Sequence, residues 1–163
     1  MGAGKTTIGK ALARRLGWRF VDSDHEIEAR TGVGIPTIFE IEGEAGFRRR
    51  ESQVIRELTE LRNVVMATGG GAVIAEENRA RLKENGLVAY LDVPPDMLYE
   101  RTRHDRNRPL LQVEDPLGRL RELHEQRSPL YREVADVVVD GVCCNASAAV
   151  QLLAQEYEAL CNP

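Results

Sequence analysis

Lysine is scarce in this sequence, which has 3 lysines against 19 arginines. No broad basic surface is expected either, because 26 acidic residues outweigh the 22 basic ones and leave a formal net charge of −4. Nucleic acid is therefore not expected as a partner, since its phosphates call for a basic footprint. Cysteine is equally sparse. Cys143, Cys144 and Cys161 are odd in number and lack C-x-x-C spacing, which excludes a zinc framework and a disulfide scaffold and leaves free thiols. No apolar run approaches the roughly 18 residues of a membrane span, and no signal-peptide pattern is present, so no membrane partner is expected and the cytoplasm is the expected location. Histidine is limited to His25, His104 and His124, all three expected on the surface.

What the sequence does have begins at its amino end. Gly2-Ala3-Gly4-Lys5-Thr6-Thr7 reads as the back half of a phosphate-binding loop, G-x-x-x-x-G-K-[ST], running into an apolar-periodic helix. Small residues let the backbone curl so that its N–H groups converge, and the helix N-terminus behind them adds partial positive charge. A polyphosphate suits that point. Lys5 is placed to reach the β- and γ-phosphates, and the Thr6 hydroxyl to ligate a bridging Mg²⁺. The first glycine of the motif falls one position before Met1, and no strand precedes the loop. The expectation is that Met1 is an internal residue of the loop and that the natural chain begins upstream.

The rest alternates between strand and helix patterns. Helices are expected over 6–16, from 25, at 38–41, over 45–61, 76–85, from 94, over 117–134 and over 146–160. Strands are expected over 18–21, 64–67, 87–93 and 137–139. The strands are short, apolar and continuous, which predicts one domain over 1–163 with a parallel sheet covered by helices on both faces. Ligands in such folds sit beyond the carboxyl ends of the strands, where the loops at 2–6, 22–24 and 69–71 converge.

Those loops carry the candidate chemistry. Asp22-Ser23-Asp24 sets two carboxylates at a strand end, one for a metal's hydration shell and one for a substrate hydroxyl, with Ser23 or Asp24 also able to cap the next helix. Arg48-Arg49-Arg50 lies on a helix, where successive residues point about 100° apart, so one or two of them face a common site. Gly69-Gly70-Gly71 after a strand predicts close backbone approach. Arg101, Arg103, Arg106 and Arg108 concentrate planar, doubly donating side chains suited to small anions in a polar, Pro-punctuated stretch that reads as a mobile flap. Arg14, Arg15, Arg79 and Arg81 read as solvated helix faces. On these residues alone, a gluconate or nucleoside monophosphate kinase, or a nucleotide-binding module without catalysis, stays open.

Taken together, the sequence resembles the shikimate kinase family over essentially its whole length. Gly-Ala-Gly-Lys-Thr-Thr-Ile-Gly-Lys, Asp22-Ser23-Asp24, Phe47-Arg48, the triplet 69–71, Arg108-Pro109-Leu110-Leu111 and Arg127 to Tyr131 occur in the family's order and approximate spacing. The resemblance implies a P-loop NTPase-type fold, nucleoside monophosphate kinase-like, with its central first strand missing. It implies transfer of the ATP γ-phosphate to the 3-hydroxyl of shikimate, on the way to aromatic amino acids, by a monomer using Mg²⁺.

Carried onto this chain, the resemblance implies that Gly2, Ala3, Gly4, Lys5, Thr6 and Thr7 hold the ATP phosphates, with Thr6 and Asp22 serving the metal. Asp24 binds shikimate hydroxyls and takes the proton of the attacking one. Arg48 and Arg127 grip the shikimate carboxylate beside Gly69, Gly70 and Gly71. Arg108 closes onto the phosphates from a lid over 104–118, Arg101 lies near adenine, and the substrate region spans 24–61. Lys5, Asp24 and Arg108 are the catalytic set. Cys143 and Cys144 depart from the polar or basic residues that the family often has near adenine.

Overall fold

Gly2 and Gly4 take φ angles of 66° and 89°, a left-handed backbone that glycine adopts with least strain, and the chain turns straight into α1 (Lys5–Leu16). The structure is a computed structural model, and it describes residues 2–104 and 109–161. After α1 come β1 (Arg19–Asp22), α2 (Ser23–Thr31), α3 (Ile35–Leu58), β2 (Val64–Ala67), α4 (Glu76–Asn85) and β3 (Ala89–Asp92). Then follow α5 (Pro95–Thr102), α6 (Pro116–Val134), β4 (Val137–Asp140) and α7 (Ala146–Cys161), with short 3₁₀ turns at Ala72–Ile74 and Pro109–Leu111.

Several boundaries differ from the sequence reading for identifiable reasons. The two helices expected at 38–41 and 45–61 run together as α3, bent where Gly43 takes φ 69° and ψ −179°. The first strand moves one residue on, making Asp22 both its last residue and the cap of α2. The proposed lid overlaps α6, whose first turn is capped by Asp115 accepting the Gly118 N–H at 2.9 Å. Arg106 and Arg108 lie outside the described residues.

β1 and β2 pair in parallel from Arg19 opposite Val64 to Asp22 opposite Ala67, and β3 and β4 pair in parallel from Ala89 opposite Val137 to Asp92 opposite Asp140. Among the described residues the two pairs do not join. A cavity of about 740 Å³ separates them, lined by Val64 to Thr68 on one side and Val88 to Leu91 on the other, with Ile8, Leu12 and Leu153 from the helices. A strand would have to run through that space to make one sheet.

Two apolar clusters hold the elements in place. Ile27, Ile38, Phe47, Val54 and Leu58 pack with Val21 and Met66 on the β1–β2 side, while Val139, Ala149 and Leu153 pack with Ile8, Leu12 and Leu91 on the β3–β4 side. Full burial of each such large side chain is worth roughly 1.5–3 kcal/mol. No described helix is long and apolar enough to cross a membrane.

Candidate active site

The register of β1 against β2 decides where the site forms. Asp22 stands opposite Ala67, so the turn into α2 and the loop at 68–71 leave the sheet side by side. The loop at 2–4 and the first turn of α1 meet them there, with the Thr6 hydroxyl donating to Asp22 Oδ2 at 3.5 Å. Asp22 uses its other oxygen, Oδ1, to accept the Asp24 and His25 N–H groups at 3.0 and 3.4 Å. Asp22 is therefore the cap of α2, in place of Ser23 or Asp24. Ser23 is fully buried and accepts the Gly69 N–H at 3.2 Å, tying the glycine loop to α2.

Asp24 points inward from the first turn of α2, and its Oδ1 is buried with no hydrogen-bond partner among the described residues. Burial pushes its carboxyl pKa up, and the Asp22 charge pushes the same way, against the pull of Lys5. A half-buried carboxylate that grips its proton above the ordinary range is suited to accept one from a bound hydroxyl.

Of the three consecutive arginines only Arg48 faces this place. Arg49 is exposed and Arg50 turns away to pair with Glu42 at 2.6 Å. Arg48 donates to Glu51 Oε2 at 2.7 Å and to Glu44 at 3.0 Å, with its guanidinium carbon 5.2 Å from the centre of the Phe47 ring. Glu51 is fully buried, and its pKa is raised by that burial in spite of Arg48.

None of Gly69, Gly70 and Gly71 has a positive φ; what the triplet needs is space. A Cβ on Gly69 would sit 2.8 Å from both Asp24 Oδ1 and Glu51 Oε1, and a Cβ on Gly71 would sit 2.2 Å from Arg48 Nη1. The close approach expected from the sequence is thus made to the chain's own charged side chains. On the far side Arg127, only 6% exposed, comes from α6, and Tyr131 one turn later donates its hydroxyl to the Gly70 carbonyl at 2.5 Å. Lys5, Gly69, Gly70 and Arg127 line one continuous cavity.

Arg101 on α5 reaches the loop from the other direction, donating to the Gly2 carbonyl at 3.3 Å. A second cavity of about 290 Å³ opens beside it, bounded by Gly2, Gly4, Thr7, Arg101, Cys144 and Asn145. Cys143 and Cys144 are free thiols, as expected. His25 and His104 are exposed and His124 is half-buried. Arg79 is not a solvated residue: it donates to the Val73 and Ile74 carbonyls at 2.9 and 3.2 Å and pairs with Glu133 at 3.2 Å.

A family model described as shikimate kinase matches residues 1–158. The chain belongs to the shikimate kinase family. It is 66% identical over 160 residues to the shikimate kinase of Dechloromonas aromatica strain RCB, covering 98% of this chain and 87% of that one. Against the shikimate kinase of Thiobacillus denitrificans the identity is 67% over 140 residues, 86% of this chain and 76% of the relative. Among solved structures, the shikimate kinase from Acinetobacter baumannii in complex with shikimate superposes with a TM-score of 0.90 at 51% identity, covering 98% of this chain and 88% of that one. Those likenesses extend over the α/β fold as a whole and agree with a P-loop kinase architecture.

Three residues that the fold brings to this place have no site role in the sequence reading. Glu51 carried the signal of an acidic residue one turn after Arg48, the i,i+3 spacing of a helical ion pair. Tyr131 lay within a quoted motif without a task. Ser23 is a cap candidate by sequence, and nothing in its neighbours points to Gly69, 46 positions away.

Proposed function

We propose that this kinase transfers the γ-phosphate of ATP to the 3-hydroxyl of shikimate, giving shikimate 3-phosphate on the route to aromatic amino acids. The observation that carries the reading is the meeting of two unlike half-sites at one sheet edge. One is the phosphate loop with Thr6 against Asp22, and the other is Asp24, Arg48 and Arg127 around the glycine triplet.

Gly2, Ala3, Gly4, Lys5, Thr6 and Thr7 hold the ATP phosphates through the N-terminus of α1. Arg101 serves the adenosine end and Arg108, in the lid over 104–118, the phosphates. Thr6 Oγ1 and Asp22 Oδ2 are hard oxygens at hydrogen-bond distance, a donor set that fits Mg²⁺, which keeps most of its water and needs few protein ligands. That ion, held by Thr6 and Asp22, would supply charge neutralisation to the transferring phosphoryl group. Arg48 and Arg127 hold the shikimate carboxylate by doubly donating contacts, with Gly69, Gly70 and Gly71 as the backbone floor. That anchoring, within the 24–61 region and α6, turns the ring so that its hydroxyl faces Asp24, which accepts the proton. Phosphoryl transfer asks the protein mainly for alignment and stabilising charge, the latter from Lys5 and Arg108. The reading takes residues 1–163 as one domain of a cytoplasmic monomer, with neither nucleic acid nor membrane as partner.

The test is a coupled ADP-release assay with Mg²⁺-ATP and a panel of shikimate, gluconate and nucleoside monophosphates. Saturable release with shikimate alone is the expected result. Release with another acceptor, or ATP binding without turnover on any, overturns the reading.

A further inference from the structure

We propose that Tyr131 is a positioning residue for substrate recognition, setting the direction of the peptide between Gly70 and Gly71. The inference rests on the substrate reading given above. It begins with the hydroxyl, which donates to the Gly70 carbonyl at 2.5 Å across 61 positions of sequence. A trans peptide is planar, so its N–H points opposite to its carbonyl. Holding the Gly70 carbonyl toward α6 therefore aims the Gly71 N–H away from α6. Gly71 lies against the Arg48 guanidinium, closely enough that a Cβ there would fall 2.2 Å from Nη1. The N–H that Tyr131 directs is thus beside the arginine assigned to the carboxylate.

Tyr131 is itself held. Its ring lies 4.9 Å from that of Tyr90 on β3, tilted by 30°. Tyr90 in turn donates to Asp92 at 2.9 Å, and Arg132 donates to the same carboxylate at 2.6 Å. Tyr131 follows Arg127 by four residues, so both emerge on one face of α6. Burial raises the Tyr131 pKa, and the Arg127 guanidinium draws it back. Tyr131 therefore joins three parts of one recognition surface, its ring reaching a strand and its hydroxyl tying a helix bearing one carboxylate-binding arginine to a glycine loop touching the other. The glycine loop is fastened at its ends by Ser23 on the Gly69 N–H at 3.2 Å and by Asn78 on the Ala72 carbonyl at 2.9 Å. Tyr131 is the side chain that fastens its middle.

The experiment is Tyr131→Phe, which keeps the ring and its contact with Tyr90 and removes the hydroxyl alone. KM is measured for shikimate and for ATP, with a thermal melt in parallel. The expected result is a shikimate KM raised about three- to tenfold, the loss of one hydrogen bond's worth of orientation, with ATP KM unchanged within twofold. A shikimate KM within twofold of the unsubstituted chain overturns the inference, as does an equal rise for ATP, which is the mark of a general structural defect. If the unsubstituted chain itself shows no saturation by shikimate, the substrate reading falls and this inference falls with it. Normal saturation by the unsubstituted chain with an unmoved KM in Tyr131→Phe removes the inference alone.

Discussion

Arg48 and Glu51 stand one turn apart on α3, joined at 2.7 Å, with the carboxylate fully buried and the guanidinium side chain 19% exposed. The glutamate aims the arginine: it fixes one edge of the fork while Glu44 holds another. Removing one partner of a buried pair leaves the other charge poorly compensated. Glu51→Ala should lower stability by about 2–4 kcal/mol, less than for a fully enclosed pair because Arg48 retains Glu44. Chemical denaturation measures this, and a loss below about 0.5 kcal/mol would show the pair to be incidental.

Asp24 couples stability to activity with opposite signs. Its raised pKa means that the folded chain holds this proton to a higher pH than the unfolded chain does. The native state then binds more protons between the ordinary carboxylate value and the raised one, so stability falls as pH rises through that window. Asp24→Asn removes the titration. It should melt at a higher temperature than the parent at pH 7, with the difference vanishing well below the ordinary carboxylate pKa, while turnover falls about 10²–10⁴-fold. A lower melting temperature at pH 7 would contradict the assignment of burial as the dominant cause.

Much of this was legible in the residues because the physics behind it is local. The helix ending at Leu16 behind the glycine turn, the strand at 64–67 and the helix at 76–85 are written in short-range pattern and fall where expected. Helix spacing alone did not say which of Arg48, Arg49 and Arg50 turns inward, since that depends on how α3 lies against the glycine loop; the family resemblance singled out Arg48. The continuity of α3 was hidden for the opposite reason: the local pattern gives separate helices at 38–41 and 45–61, and Gly43 between them makes a bend that keeps the helix running. Arg79 misled because charge on a helix predicts solvent, whereas its targets are carbonyls of the 3₁₀ turn at Ala72–Ile74. The split of the sheet into two pairs is a tertiary fact that strand patterns alone do not contain.

Arg127 is the residue expected to separate the two proposed substrates. It is a buried cation on α6, while the phosphate loop belongs to α1. Arg127→Ala should raise the shikimate KM about 10- to 100-fold, the magnitude of charge-assisted hydrogen bonds lost, and leave ATP binding within about threefold. Calorimetric titration with each ligand separately makes the comparison, and equal effects on both would remove Arg127 from the carboxylate role.

Gly71 ties fold and function together through Arg48. Its backbone is not left-handed, so alanine introduces no backbone strain there. The added methyl would meet the Arg48 guanidinium at 2.2–2.3 Å, and that is the free end of a flexible side chain, which can swing away. Yielding therefore leaves the backbone unstrained but costs the fold the Arg48–Glu51 pair and the site its guanidinium, because Arg48 leaves both Glu51 and the proposed carboxylate position together. Gly71→Ala should lower stability by about 2–4 kcal/mol, the loss expected on breaking the Arg48–Glu51 pair, yet raise the shikimate KM by at least about tenfold with ATP affinity preserved. Gly17→Ala is the contrast: at φ 68° with open space around it, it should cost about 1 kcal/mol in stability and leave both KM values unchanged. If Gly71→Ala behaved like Gly17→Ala in kinetics, Arg48 would not be the group that the glycine triplet makes room for.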